Sequence, residues 1–372
     1  MPVNVALGHL SNAFMIATLI IYSLSVFAFA GDFAFGRPRR AAAVRGQQEA
    51  RDREAALATV GAAPGIPGTS GSAAAGTAAP EASGGPGDPG VPAASGGGGA
   101  AGSMPEPAVP AFRAIRAAGR WVIAAVLLSS LGAAAHTTTV ITRGLAVHRA
   151  PWGNMYEFVT ALTCVAVLFF LYVLIRYQVW TLGVFVMGSI VVALGLAETL
   201  IYTAPGDLVP ALQSYWLDIH VTAMTLATGI FFVAAVLGAV YLWTDRYTRR
   251  VAAGQATPGH GIIRRLPSIE QIDRLTYRTV VFGFPVWTFG VIAGGIWADQ
   301  AWGRYWGWDP VETWAFITWV LYAAFLHARA TAGWRGRRAH YVQLLGFTSL
   351  IFNVMVVQVF IAGLHSYSGV AG

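Results

Sequence analysis

Eight apolar runs, each long enough to cross a lipid bilayer, constrain the fold of this chain more than any other feature. They lie near residues 10–30 and, roughly, at 121–140, 155–175, 179–201, 219–243, 279–297, 311–332 and 341–364. A helix needs about 20 mostly apolar residues to span the hydrocarbon core. Because backbone groups in lipid must satisfy one another, we expect an all-α polytopic membrane protein with about eight transmembrane helices.

The composition agrees with this fold class. Of the 372 residues, 56% are hydrophobic and only 11% are charged, and the mean hydropathy is +0.57. These values exclude an ordinary soluble domain. The net charge of +7 comes from arginines that lie mostly between the apolar runs, where they orient helices. We therefore expect no nucleic-acid partner.

The distribution of arginine predicts the orientation in the membrane. With alternating spans, all of the 24 arginines except Arg143, Arg149 and Arg304 fall on one side. The positive-inside rule makes that side cytoplasmic. Both termini and the tryptophan-rich segment between the sixth and seventh spans then face outward, across the cell membrane. No positively charged region precedes the first run, which we interpret as an anchored helix and not as a cleaved signal.

Composition also divides the chain into three parts. Residues 1–35 form the first transmembrane helix. Residues 36–119 are rich in Ala, Gly and Pro, and 61–110 consist almost wholly of small residues and proline. Such a segment cannot bury enough apolar surface to offset its ordering entropy, so we predict a disordered cytoplasmic linker. Residues 120–372 form the remaining core of seven helices.

One segment, residues 297–314 (WADQAWGRYWGWDPVETW), has the composition of a ligand platform. It holds five tryptophans and a tyrosine within 18 residues, with glycines that let the backbone approach a flat molecule. Arg304 could pair with a carboxylate of the same ligand. A membrane-interface belt of aromatic residues is the alternative. At the end of the segment, Asp309, Pro310 and Glu312 predict a capped helix start.

Three histidines are candidate metal ligands. His220 opens the fifth span and His365 closes the eighth, so both lie on the same side and at the same depth as the tryptophan-rich segment. Two imidazoles flanking an aromatic platform are what a six-coordinate haem requires, although each alone is more often a hydrogen-bonded interface residue. His327, near the cytoplasmic end of the seventh span, is either a ligand of a second haem or a residue that reaches the interface beside Arg329.

The other notable polar residues have structural interpretations. We expect His9, His136 and His148 at the outer surface, and His260 and His340 in solvated cytoplasmic loops. Further expectations concern Asn154 as a helix cap followed by Glu157, Glu198 as a hydrogen-bond partner of a neighbouring helix, and Cys164 as a small packing residue. Because Cys164 is the only cysteine, this chain alone cannot form a disulfide or cycle a dithiol pair.

At residues 302–314 (WGRYWGWDPVETW) the chain resembles the WWD signature of the haem-handling proteins of cytochrome c maturation. Together with His220 before this motif and Gly-Leu-His365-Ser-Tyr after it, the motif is similar to the CcsA/ResC branch of the system II pathway, whose actinobacterial members are often called CcsB. The resemblance covers roughly residues 121–372. The long segment 36–119 departs from the family core.

The resemblance implies a membrane subunit of a cytochrome c synthase (haem lyase) that works with a ResB-like partner. Haem b would bind at an inner site through His327 and a histidine of the partner. It would then move to the outer platform, where His220 and His365 hold the iron. The resemblance implies further haem contacts from the platform, namely Trp302, Trp306, Trp308, Asp309 and Trp314.

In this scheme an apocytochrome c supplies the thiols of a Cys-x-x-Cys-His segment, which add to the haem vinyl groups. Thioredoxin-like proteins would keep those thiols reduced. No residue of this chain is assigned a catalytic role, because its contribution is to position the haem. Two alternatives remain from other functional classes: a haem exporter or chaperone without ligation activity, and a respiratory subunit with structural b-type haems.

Overall fold

The computed structural model describes residues 3–35, 111–206, 214–257, 262–331 and 333–365. Within these ranges the chain is almost entirely helical and contains no strand. The helices are α1 (Val5–Phe35), α2 (Ala111–Ala118), α3 (Arg120–Val147), α4 (Met155–Tyr177), α5 (Gly183–Leu200), α6 (Tyr215–Ala252), α7 (Ile269–Trp302), α8 (Pro310–Ala330) and α9 (Arg337–Phe352). The last helix continues through a π-helical turn, Asn353–Val357, and a final turn, Gln358–Phe360.

The prediction of an all-α polytopic membrane protein is confirmed. In the described part of the chain, eight helices are long and apolar enough to cross a membrane, and each matches one predicted apolar run. Helices α6 and α7 extend well past the predicted runs, to 38 and 34 residues. The extensions carry polar residues, so an apolar run alone underestimates these two helices.

The predicted linker falls mostly outside the described residues. Its disorder stays a prediction for residues 36–110. At its end, however, Ala111–Ala118 forms the short helix α2, where no secondary structure was expected. The boundary of the linker at residue 119 was therefore placed too late.

The most extensive helix packing joins α1 with α3, α6 with α7, and α8 with α9, and each of these pairs is antiparallel. Helix α4 packs against α3, α5 and α6. We refer to the end of the bundle at Trp302 and Pro310 as the tryptophan end, and to the end at Ala252 and Ile269 as the arginine end.

The three arginines of the tryptophan end are all held by glutamates. Arg143 and Arg149 both pair with Glu157, at 3.1 and 2.8 Å, and the Glu157 side chain is fully buried. Arg304 pairs with Glu312 at 3.4 Å. Each guanidinium therefore has a carboxylate of this chain as its partner. The pairing of Arg304 with a ligand carboxylate stays a prediction, because its side chain is still 32% exposed.

Candidate haem-binding cavity at the tryptophan end

A cavity opens at the tryptophan end among α4, α6, α7, α8 and the π-helical turn. The cavity volume that a water molecule can occupy is about 180 Å³, and the site is partly open to the surroundings. Its lining is mainly apolar, as is common for ligand pockets. The side chains that matter for its chemistry are His220, His365, Trp152, Trp287, Trp297, Trp306, Asp218, Glu312, Asn353 and Gln358.

His220 is fixed on one side of this cavity by the neighbouring helix. Its Nδ1 lies 2.8 Å from the carbonyl oxygen of Gly290 on α7. A carbonyl only accepts, so Nδ1 carries the proton and Nε2 keeps its lone pair when the ring is neutral. Gly294 makes room for the ring, because a Cβ at that position would lie 2.6 Å from two of its atoms.

His365 is fixed in the same way by Asp309. Its Nδ1 lies 2.9 Å from Asp309 Oδ2 and donates to that carboxylate, which again leaves Nε2 available. Burial lowers the pKa of His365, and the hydrogen bond to Asp309 offsets this only in part. The imidazole is therefore neutral near pH 7, as a metal ligand must be.

Asp309 caps helix α8 and also holds the imidazole of His365. It accepts from the Val311 amide at 3.3 Å, and its own amide donates to Glu312 at 3.1 Å, so the predicted capping box is confirmed. Its Oδ1 also accepts from the Leu364 amide at 2.8 Å. Burial alone would raise the pKa of Asp309, but these donors and His365 outweigh burial and lower it. The ionised carboxylate thus fixes the chain on both sides of the cavity.

Trp297 contacts both histidines. Its ring is stacked on His220 at 6.0 Å and meets His365 edge-on at 5.6 Å. Only 2% of Trp297 is exposed, so it is a wall of the cavity and not an open platform. Trp302 packs behind this wall, 4.7 Å from Trp297 and 4.9 Å from His365.

The loop between α7 and α8 is shaped by Glu312. Its Oε2 accepts from the Gly307 amide at 2.9 Å in addition to the Asp309 amide. This brings Trp306 into the cavity lining, whereas Trp308 is 64% exposed beside it. Trp308 has a φ of 57°, a conformation that is uncommon outside glycine.

The structure separates the other predicted site residues from the cavity. Trp314 packs against Phe352 at 4.4 Å, away from the lining. His327 is exposed on α8 near the arginine end, at the opposite end of the bundle from His220 and His365. Of the residues proposed from the sequence, His220, His365 and Trp306 line the cavity, while Trp302 and Asp309 contact His365 from behind.

Sequence reasoning missed several cavity residues, among them Asp218, Asn353 and Gln358. Asp218 precedes His220 by half a turn of α6. Asn353 and Gln358 begin and follow the π-helical turn, a rare element that often occurs at functional sites. Asn353 Nδ2 donates to the Val311 carbonyl at 3.1 Å, and its buried Oδ1 has no hydrogen-bond partner. No local sequence signal marks such a turn, although an Asn in an apolar run is a hint.

Two histidine predictions were wrong. His340 is not in a solvated loop: it lies on α9, is fully buried, and hydrogen-bonds through Nε2 to Asp273 at 3.0 Å. His136 is not at the surface: it is fully buried on α3, with Nδ1 at 3.3 Å from the Tyr22 hydroxyl. His9 and His148 are exposed, as expected, and His260 lies outside the described residues.

Other structural predictions agree with the geometry. Asn154 caps α4 by accepting from the Glu157 amide at 2.9 Å. The Tyr156 hydroxyl donates to Glu198 at 2.9 Å. Cys164 is buried, with its Sγ 3.6 Å from the Thr137 hydroxyl. None of these residues requires a catalytic interpretation.

The sequence is similar to known proteins over the same region. Residues 152–365 match the family model of the cytochrome C assembly protein. The cytochrome c biogenesis protein CcsA of Guillardia theta is 35% identical over 247 residues, covering 62% of this chain and 81% of the relative. The CcsA protein of Gloeobacter violaceus is 36% identical over 212 residues, covering 45% and 63%.

A CcsA protein of Synechococcus is 39% identical over 176 residues, covering 43% of this chain and 58% of the relative. The matched region of the family model begins at Trp152 and ends at His365, so it contains every residue that lines the cavity except Ala150. The chain belongs to the CcsA family of cytochrome c assembly proteins and is a multi-pass membrane protein of cytochrome c biogenesis.

Proposed function

We propose that this chain is the membrane subunit of a cytochrome c synthase and that its cavity presents haem b for covalent attachment to apocytochrome c. The observation that carries the proposal is the matched arrangement of His220 and His365. Both line one cavity, and each is bonded through Nδ1, to Gly290 and to Asp309. Each Nε2 is thereby left for an axial position of the iron.

The residues around the histidines fit a porphyrin. The lining is mostly apolar, and Trp297 and Trp306 supply aromatic surface for a flat conjugated ring. The lining also holds two carboxylates, Asp218 and Glu312, and no arginine. Because Glu312 is already paired with Arg304, Asp218 is the carboxylate that would repel a haem propionate, and we expect the propionate edge to point away from it.

The chemistry proposed for the bound haem is redox-neutral. Each apocytochrome thiol adds across a vinyl group, so that sulfur bonds to one vinyl carbon and the thiol proton is transferred to the other. The chain contributes by holding the haem in one orientation. Its only cysteine is buried, so the thiols come from the substrate and their reductant is a separate, thioredoxin-like protein.

The position of His327 supports a second haem site shared with a ResB-like partner. The side chain is exposed on the bundle surface, where a histidine of another subunit can reach the opposite face of an iron. In the proposed orientation the arginine end is cytoplasmic and the tryptophan end faces outward from the cell membrane. Haem would then bind first near His327 and later in the cavity.

The experiment that tests this proposal compares His220→Ala, His365→Ala and His148→Ala in the complex with its partner. Oxidised and reduced visible spectra would be recorded with and without added imidazole. We expect the first two variants to lose haem or maturation and to recover with imidazole, which replaces the missing ligand. His148 is an exposed histidine of the same end and serves as the matched control. Full haem content and maturation in both cavity variants would overturn the assignment.

A further inference from the structure

One face of α8 remains uncovered along most of the helix. Phe316, Val320, Ala324 and His327 are all exposed, and their spacing of four, four and three residues places them on one stripe. His327 lies at its arginine end. The stripe from Phe316 to His327 extends about 16 Å along the axis, at 1.5 Å per residue. It therefore leads from the proposed inner haem site towards the tryptophan end.

A series of aromatic contacts continues this stripe to the cavity. Phe316 stacks on Trp319 with an angle of 8° between the rings, and Trp319 contacts Phe284 of α7 at 5.6 Å. In the other direction Phe316 contacts Trp308 at 6.0 Å, and Trp308 contacts Trp306 at 5.7 Å. Trp306 lines the cavity. We call the surface formed by Phe316, Trp319, Val320, Ala324, Trp308 and Trp306 the aromatic track.

Trp319 is held in place within the groove between α7 and α8. Its Nε1 donates to the Thr288 hydroxyl at 3.0 Å, and that hydroxyl donates to the Phe284 carbonyl at 2.9 Å. The indole is thereby anchored to α7 while Phe316 covers part of its surface. A fixed ring in a groove offers a stacking surface at little entropic cost.

Beside the aromatic track, the interior of the bundle beneath the cavity is filled by packed aromatic side chains. Phe231 of α6 and Tyr322 of α8 stack at 3.9 Å and are fully buried. Trp287 packs against Phe231 from the cavity side at 6.0 Å. A Cβ on Gly283 would lie 2.8 Å from Phe231, and one on Gly346 would lie 3.3 Å from Tyr322. A porphyrin could pass through this region only if several close-packed rings were displaced.

We propose that haem moves from the His327 site to the cavity along the aromatic track, on the outside of the bundle, and not through its interior. This inference rests on the proposed function. The track begins at one proposed haem ligand, ends at a residue that lines the cavity, and offers apolar and aromatic surface throughout. Ala324 leaves room beside His327 for a flat ring. The ResB-like partner that shares the His327 site would cover the track and exclude lipid.

The test places bulk on the track without changing the interior. Val320→Trp sets an indole two helical turns from His327, and Ala324→Phe is a second variant in case the first does not accumulate. Leu196→Trp on α5 is the matched control, because Leu196 is also exposed and apolar. Val320→Ala keeps the track open. The complex would be purified with its partner, and haem would be quantified by absorption before maturation is measured.

We expect Val320→Trp to keep the haem that depends on His327 and to lose the haem that depends on His365. Adding His327→Ala to this variant should remove the remaining haem, whereas adding His365→Ala should remove none. Maturation should slow by at least about tenfold, equivalent to about 1.4 kcal/mol on the transfer barrier. Leu196→Trp and Val320→Ala should behave as the parent protein does.

Two outcomes would overturn the inference in distinguishable ways. If Val320→Trp and Ala324→Phe retain both haems and mature cytochrome at the parental rate, the track is not the route and an interior path is required. If the parent protein holds no haem that depends on His220 or His365, the proposed function itself fails, and the route has no destination. Only the first outcome contradicts the route alone.

Discussion

Two largely buried histidine–aspartate pairs, one at each end of the bundle, show what separates a candidate ligand from a structural residue. His365 bonds to Asp309 at 2.9 Å, and His340 bonds to Asp273 at 3.0 Å. The pairs look alike in distance and chemistry. The second nitrogen of His365 belongs to a cavity wall, whereas that of His340 is buried without a hydrogen-bond partner. Whether a ligand can reach the second ring nitrogen therefore decides whether the histidine is a candidate ligand or a structural residue.

The two aspartates also differ in their hydrogen-bond partners. Asp273 accepts two hydrogen bonds from Arg329, at 2.7 and 3.0 Å, as well as one from His340, and joins α7, α8 and α9. The carboxylate of Asp309 instead accepts hydrogen bonds from the amides of Val311 and Leu364 and from Nδ1 of His365. The ring of Tyr241 stacks on the imidazole of His340 at 3.8 Å and covers one of its faces. The arginine-end pair is thus an internal tie between helices, and the tryptophan-end pair orients a side chain toward a cavity.

The largest expected effect is on the free energy of unfolding, and it distinguishes Asp273 from Asp309. Asp273→Asn leaves the mostly buried Arg329 without a charged partner, so we expect the free energy of unfolding to fall by about 3 kcal/mol. Thermal or denaturant unfolding in detergent would measure it. Asp245→Asn, which removes the partner of the half-exposed Arg249, is the matched control and should have a small effect. Equal stability of these two variants would contradict the prediction.

The same substitution at the other pair should change haem binding instead. Asn caps helices about as well as Asp, so Asp309→Asn should unfold nearly as the parent does. An Asn amide facing Nδ1 can donate to it, which moves the ring proton to Nε2 and blocks ligation. We expect haem affinity in the cavity to fall by about 10–100-fold. A haem titration would show this, and Asp273→Asn should retain parental affinity.

Much of this arrangement could be predicted from local sequence. The eight spans follow from apolar runs whose length is fixed by the bilayer. The Asp309 cap and the Asn154 cap follow from residues within one helical turn. The shared side of His220 and His365 follows from counting spans. Each of these inferences depends on neighbours in the chain or on the alternation of helices.

The unpredicted features depend on partners that are distant in the sequence. His340 was assigned to solvent because its partner Asp273 precedes it by 67 residues, and nothing near His340 announces a carboxylate. His136 meets Tyr22 across 114 residues. The pairing of Arg304 with Glu312 spans only eight residues, but it requires the loop to fold back on α8. Packing between helices sets these contacts, and an apolar pattern does not encode which polar groups meet.

Two glycines that contact histidines allow a finer comparison of the ends. A Cβ at Gly294 would lie 2.6 Å from His220, and one at Gly238 would contact Gln343 and lie 3.5 Å from His340. Gly294→Ala and Gly238→Ala should each cost about 1–2 kcal/mol through overpacking. Only Gly294→Ala should also weaken haem binding, because Gly294 and His220 line the cavity, whereas Gly238 and His340 do not.

Unfolding curves and haem titrations of the same preparations would measure both effects. Gly188→Ala is the control, because nothing lies within 4 Å of the added Cβ, and alanine favours a helix. If Gly238→Ala lost haem as strongly as Gly294→Ala, overpacking alone would explain the loss. The position of His220 in the cavity would then not explain the loss of haem in Gly294→Ala.

The smallest expected effect is in the pH dependence. The pKa of His365 is lowered by burial, so the folded protein keeps the imidazole neutral below its ordinary value of about 6.5. The stability gained from the neutral ring is present above that value and is lost as pH falls towards the lowered pKa. Haem retention, followed by absorption from about pH 8 to about pH 5, should persist below pH 6.5 and then decline.

The carboxylate of Asp309 favours the protonated ring and so raises the pKa of His365 against the effect of burial. Removing that charge in Asp309→Asn should lower the pKa of His365 further. NMR titration of the imidazole in the haem-free protein would measure this shift separately from the loss of haem affinity, with Asp273→Asn as the control. An unchanged pKa of His365 in Asp309→Asn would show that Asp309 holds the ring in place without influencing its charge.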